Sequence, residues 1–211
     1  MKILSLILPF IFLAAPLTTQ AEILPPDELI KSTVHDVLEI INHDKQAKDA
    51  GNKKILEFID AKVLPRFNFE RMTKLAVGKS WRAATPEQKA VLIEEFRTLL
   101  VRAYSRAFTL YSNISVETKP LTVQPNADEV TVKTLILRPN APAVPVQYEM
   151  EKTPTGWKAF DVTVEGISLV ATHRGSFAEK VQQSGIDGLI KSLTDLNRTS
   201  ADNETSKAAS K

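Results

Sequence analysis

The sequence predicts an α+β fold, with four antiparallel strands in one curved sheet and helices packed on one face around an apolar pocket. Three observations carry this. Up to Tyr111 the apolar residues recur every three or four positions, the period of a helix with one buried face. Between Ile114 and Val164 the period drops to two, as in strands with one buried and one wet face. From Ser168 the helical spacing returns.

The first segment stands apart. Lys2 precedes an apolar run from Ile3 to Ala15, broken by Ser5 and Pro9, and Thr19-Gln20-Ala21 offers small residues where a signal peptidase reads them. Residues 1–21 are therefore expected to be a signal peptide, cleaved before Glu22. The run is shorter than the ~20 residues a spanning helix needs, and no basic cluster follows it. No cysteine follows the cleavage site, so no lipid anchor is expected there. The exported chain is expected to be soluble.

Residues 22–197 read as one domain. Pro25-Pro26-Asp27 starts a first helix with Asp27 as N-cap, and Leu29, Ile30, Val34, Val37, Leu38 and Ile41 form its apolar stripe. Gly51-Asn52 ends it. A second helix is expected from Lys53 to Val63, before Pro65, and a third from Phe69 to Val77, before Gly78. In Thr85-Pro86-Glu87-Gln88, Thr85 caps, Pro86 fits the first turn and Gln88 completes a capping box. The helix it starts can run to Tyr111, about 40 Å. Its stripe is Leu92, Phe96, Leu99, Leu100, Ala103, Ala107 and Tyr111, widened by Ile93, Val101, Tyr104 and Phe108.

Four alternating runs follow: Ile114 to Thr118, Val130 to Leu137, Val144 to Glu151, and Ala159 to Val164. Turns rich in Pro, Asn and Gly join them at Pro125-Asn126, Pro139 to Pro142 and Pro154 to Gly156. Helices are expected again over Ser168 to Gln183 and Ile186 to Leu196, parted by Gly185. Residues 198–211 are polar and aperiodic and read as a disordered tail.

Composition excludes several functions. The chain has no cysteine, so it has no disulfides, no thiol chemistry and no thiolate metal site. A net charge of +2 gives no electrostatic case for binding nucleic acid. About 190 exported residues are enough for a sizeable core. There is no nucleophile elbow, phosphate loop, dinucleotide fingerprint or zinc-protease motif. His35 and His43 lie two turns apart on one helix, too far to share a metal. Asp161 and Glu165 fall on one strand face with no histidine partner, and His173 three residues before Ser176 is an ordinary helical spacing. No enzyme activity and no cofactor are expected. The aromatic stripe of the long helix and the apolar sheet face leave two readings open: a packed core, or the walls of a cavity for an apolar ligand.

Particular residues add to this. FERMTKLAVGKSWRAATPEQKAVLIEEFRTLLVRAYSRAF (Phe69 to Phe108), VTVEGISLV (Val162 to Val170) and SGIDGLIKSL (Ser184 to Leu193) resemble the MlaC family, also called the toluene-tolerance family. The likeness runs in order from about Glu28 to Leu196. It implies a periplasmic, non-enzymatic phospholipid-binding shuttle of the Mla pathway, which maintains outer-membrane lipid asymmetry. The implied fold is cystatin-like or NTF2-like with a deep apolar pocket. The implied partners are phospholipid, an inner-membrane ABC-transporter complex and an outer-membrane lipoprotein–porin complex, and a monomer is expected.

On this basis the pocket is expected between the long helix and the inner sheet face. The expected lining is Trp81, Phe96, Leu100, Tyr104, Phe108, Val132, Val146, Tyr148, Val162, Ile167 and Leu169. Lys74, Lys79, Arg82, Arg174 and Glu179 are the expected docking charges near its mouth. The other reading is an interaction or structural module without lipid cargo.

Overall fold

Helix α1 (Pro26–His43) leads into a π-helical turn (Ile59–Val63) and a 3-10 turn (Leu64–Arg66), then α2 (Phe69–Val77), a second 3-10 turn (Gly78–Ala83) and α3 (Pro86–Leu110). Strands β1 (Ser115–Thr118), β2 (Glu129–Arg138), β3 (Ala141–Thr153), β4 (Gly156–Val164) and β5 (Ile167–Ser168) follow, and α4 (Leu169–Ala209) closes the chain. The computed structural model describes residues 23–43, 57–110 and 114–209. The expected signal peptide, the end of α1 at Gly51-Asn52, the start of the second helix at Lys53, and Tyr111 lie outside them.

Local chemistry sets the helix boundaries. Asn68 Oδ1 accepts from the Arg71 backbone N–H at 3.0 Å and caps α2, which Gly78 ends with φ 66°. At α3 the Gln88 N–H donates to Thr85 Oγ1 at 3.2 Å, and the Thr85 N–H donates to Gln88 Oε1 at 3.0 Å. These are the two reciprocal bonds of a capping box. In α4 the helical path breaks at Ser184 (φ −145°) and Gly185 (φ 69°, ψ −174°), a conformation open in practice only to glycine. The segment read as a disordered tail falls partly on α4, which continues to Ala209.

The sheet has five strands, not the expected four, in the order β1-β2-β3-β4-β5 with every pair antiparallel. The fifth is only two residues long. It forms because Glu165 (φ 50°) and Gly166 (φ 83°) turn the chain back at once onto β4. Register shifts at Ile136/Arg138 and at Glu149/Met150 mark bulges, which bend a strand and raise its twist.

One face of the sheet is wet, and there Glu129 and Glu151 stand directly opposite each other. Like charges so paired repel. Arg71 answers both, donating to Glu151 at 2.7 Å and Glu129 at 2.5 Å, while Asn68 Nδ2 donates to Glu151 at 2.7 Å. Burial works against the Arg71 charge, but these two carboxylates outweigh it and raise the guanidinium's pKa. The same guanidinium lies 3.5 Å above the Phe160 ring, which ties α2 to β4.

The interior has two main clusters and a small third. In the helix core, Met72, Ala76, Leu92, Phe96, Leu100, Phe177, Leu189 and Leu193 bring α2, α3 and α4 together over Phe160. In the second cluster, Leu29 and Ile30 of α1 cover Val132, Met150, Trp157 and Ala159 of the sheet. The third joins Val37 to Ile59 and Val63. Phe67 packs against all three.

Candidate functional site

The inner face of the sheet divides into two halves. At one end Val132, Met150, Trp157 and Ala159 lie under α1. Toward the β2–β3 hairpin the same face carries Thr134 and Ile136, Val144 and Val146, and Val162 and Val164, which the ladders bring side by side. Val146 and Val162 are buried, and Ile136, Val144 and Val164 are half-buried. Among the described residues, none of these five belongs to any of the three clusters. Among the described residues, this half-face is an apolar wall without a packed counterpart.

Beside it, α1 and β1 bound a groove of about 480 Å³. Val34, Leu38, Ile114 and Val116 supply its apolar lining, with Lys31, His35 and Glu39 along α1. Its volume falls in the ~300–1,000 Å³ range of small-molecule sites. The helical stripe of α1 thus serves two ends. Leu29 and Ile30 close the packed half of the sheet, and a turn later Val34 and Leu38 border the groove.

The eleven expected lining residues fall into several groups. Trp81, Phe96 and Leu100 lie in the helix core. The Phe96 ring sits edge-on to Phe177 at 5.3 Å and to His173 at 5.2 Å. Val132 and Tyr148 meet α1, while Val146 and Val162 stand on the open half-face. Tyr104 is 37% exposed on α3, Ile167 is 64% exposed on β5, and Leu169 is half-buried at the start of α4. Phe108 is in α3, and its side chain is outside the described residues. The fold therefore brings Val132, Tyr148, Val146 and Val162 together and keeps Trp81, Phe96 and Leu100 apart from them.

Three positions escaped the sequence reading. Val34 and Leu38 were assigned only to a stripe, since a stripe does not show which of its turns is covered. Thr134 is a polar residue at an inward strand position between Val132 and Ile136, and that interruption was its only signal.

Asp161 and Ser168, beside the site, are held in local hydrogen bonds. Asp161 Oδ1 accepts from the N–H groups of Val162 at 2.8 Å and Val170 at 3.1 Å, and Oδ2 from the Ser168 hydroxyl at 2.5 Å. Ser168 Oγ in turn accepts from the Ala171 N–H at 2.9 Å. Asp161 therefore caps α4. Burial raises the Tyr104 and Tyr148 phenol pKa values and lowers that of His173. Among the described residues no group of His, Asp and Glu could hold a metal ion. Lys74, Lys79, Arg82, Arg174 and Glu179 are all exposed, and Arg174 Nε donates to the Leu75 carbonyl at 3.0 Å. No helix among the described residues is long and apolar enough to cross a membrane.

Known proteins are similar to this chain in sequence and fold. The sequence pattern of the family described as MlaC protein matches residues 31–195. Toluene tolerance protein ttg2D of Pseudomonas putida is 26% identical over 175 residues, 82% of this chain and 80% of its own length. The intermembrane phospholipid transport system binding protein MlaC of Haemophilus influenzae is 22% identical over 134 residues, 62% of this chain and 63% of its own. A phospholipid-binding protein from Ralstonia solanacearum, solved in complex with a phospholipid, superposes with a TM-score of 0.75 at 32% identity, covering 83% of this chain and 98% of that one. With the family pattern spanning most of its length, and a relative so similar in sequence and fold, this chain belongs to the MlaC family.

Proposed function

We propose that this protein binds phospholipid on the open half of its inner sheet face and carries it across the periplasm between membrane complexes. The observation that carries the reading is an apolar wall, Ile136, Val144, Val146, Val162 and Val164, without a packed counterpart among the described residues. It occurs in a chain similar to a protein solved with a phospholipid bound. Acyl chains complete such a wall, and a headgroup at the rim stays in water.

Energetics explains the need for a carrier. At ~0.8 kcal/mol per methylene, two chains with about 30 methylenes in total cost roughly 20 kcal/mol or more to expose to water. Unassisted transfer is negligible at that barrier. The carrier holds its load about as well as a bilayer does, or it would not release it. This is a binding function with no bond made or broken.

Export by a cleaved leader ending at Ala21 goes with this reading. So does docking, as a monomer, at an inner-membrane ABC-transporter complex and an outer-membrane lipoprotein–porin complex, to keep the outer membrane asymmetric. The exposed charges Lys74, Lys79, Arg82 and Glu179 suit contacts that must form and release. Organic extraction of the purified protein, followed by mass spectrometry, tests the central point. Phospholipid in near-stoichiometric amount is the expected result. A folded protein that contains none, and takes none from vesicles, refutes it.

A further inference from the structure

The most buried polar side chain on the inner sheet face is Thr134. It stands on β2 opposite Val146 and is 1% exposed. Among the described residues its hydroxyl oxygen meets no hydrogen-bond partner. A buried hydroxyl left so is destabilising, and valine would fill nearly the same space without that cost. Buried polar groups are almost always satisfied, so an orphan on a ligand-facing wall calls for a partner that arrives from outside.

Tyr148 supplies the second observation. Thr134 pairs with Val146 and Val132 with Tyr148, so Thr134 and Tyr148 are diagonal neighbours on one face, within reach of an aromatic side chain. Burial raises the pKa of the Tyr148 phenol and the nearby Thr134 hydroxyl pulls it back, but the two make no hydrogen bond of ordinary geometry. Two O–H donors thus sit among Val132, Val146 and Val162, on the face opposite the Glu129 and Glu151 carboxylates.

The chemistry of a diacyl lipid narrows the acceptor. Methylenes accept nothing. A phosphate is too strongly hydrated to enter an apolar wall without a cationic partner. The acyl-ester carbonyl lies between these zones and is an uncharged acceptor.

We infer that Thr134, with Tyr148 beside it, donates a hydrogen bond to an acyl-ester carbonyl of the bound lipid, which makes the site selective for ester-linked over ether-linked chains. This inference rests on the lipid-carrier reading above. Ether lipids keep the chains and the headgroup but lose the carbonyl. A net hydrogen bond of ordinary strength corresponds to a preference of about threefold to tenfold.

The test reloads delipidated protein from vesicles containing equal amounts of dioleoyl phosphatidylethanolamine and its dialkyl-ether analogue. The two lipids bound per protein are counted by mass spectrometry. Wild type and Thr134→Ser are expected to take the ester lipid in about threefold to tenfold excess. Thr134→Val is expected to take both equally, and Thr134→Ala serves in its place if the valine variant does not fold. Equal uptake by the wild type overturns the inference, as does an ester excess that survives removal of the hydroxyl. Uptake of neither lipid by the wild type overturns the carrier reading itself, a result distinct from equal uptake.

Discussion

Phe96 and Val146 are both nearly inaccessible, at 0% and 3% exposed, yet their surroundings differ. Phe96 has two rings against it and shares a cluster with buried side chains of α2, α3 and α4. Val146 has its strand neighbours, Thr134 and Val164, and no cluster of its own among the described residues. Polar bonds reinforce the helix core. Gln88 Nε2 donates to Asp187 at 2.6 Å, and Asn197 Nδ2 donates to the Glu95 backbone carbonyl at 2.9 Å. The half-face has the opposite signature, with an orphan hydroxyl and half-buried aliphatics. Burial alone therefore does not tell core from site. What tells them apart is whether the buried residue has a packed counterpart.

The sharpest way to break this contrast is to damage each region once. Phe96→Ala should cost about 3–5 kcal/mol of stability by opening a cavity in the helix core. The fraction that still folds should carry its normal lipid load. Val146→Glu should do the reverse, because an unpaired carboxylate on an apolar wall excludes acyl chains. Its lipid content per folded molecule should fall close to zero, with a smaller loss of melting temperature. Thermal denaturation and lipid extraction on both variants decide it. If Phe96→Ala loses its lipid while Val146→Glu keeps it, the two regions have been assigned the wrong way round.

A milder probe removes a helix cap remote from the sheet. Thr85→Ala deletes one of the two reciprocal bonds at the start of α3 and should cost about 1 kcal/mol. Lipid content should not change. A cap mutation that empties the protein would mean that α3 is part of the binding wall.

The smallest expected effect is on pH dependence. His173 lies against Phe96 and Phe177, and burial lowers its pKa below the ordinary value of 6.5. The unfolded chain then takes up a proton more readily than the folded one, so this histidine's contribution is complete above about pH 6.5 and is lost as the pH falls below it. Melting temperatures over a pH series should show that slope in the wild type, and a shallower one in His173→Gln. Identical slopes would mean that this ring is not the group that titrates.

What could be read from the sequence was whatever is local. The capping box at Thr85 and Gln88, the stop at Gly78 and the break at Gly185 each depend on a few adjacent residues, and each forms as written. Strand β5 was not legible, because two residues are too few to show a period and the strand depends on the Glu165-Gly166 turn. Alternation also misleads at a bulge. It sets Phe160 on one face with Val162, whereas the shift at Glu149/Met150 places Ala159 opposite Met150 and Phe160 among the helix-core residues. The site was half legible for a physical reason. An apolar stripe looks the same whether it meets protein or ligand, so Phe96 and Val146 were indistinguishable until their neighbours were known.

Tyr148 and Phe96 allow the most direct measurement, because each is an aromatic residue, one beside the open half-face and one in the helix core. A photo-cross-linking phenylalanine analogue placed at either position changes shape little, and irradiation of the lipid-loaded protein labels whatever lies within reach. The account predicts covalent phospholipid adducts from position 148 and only protein–protein cross-links from position 96. Lipid adducts from position 96 equal to those from position 148 would contradict it.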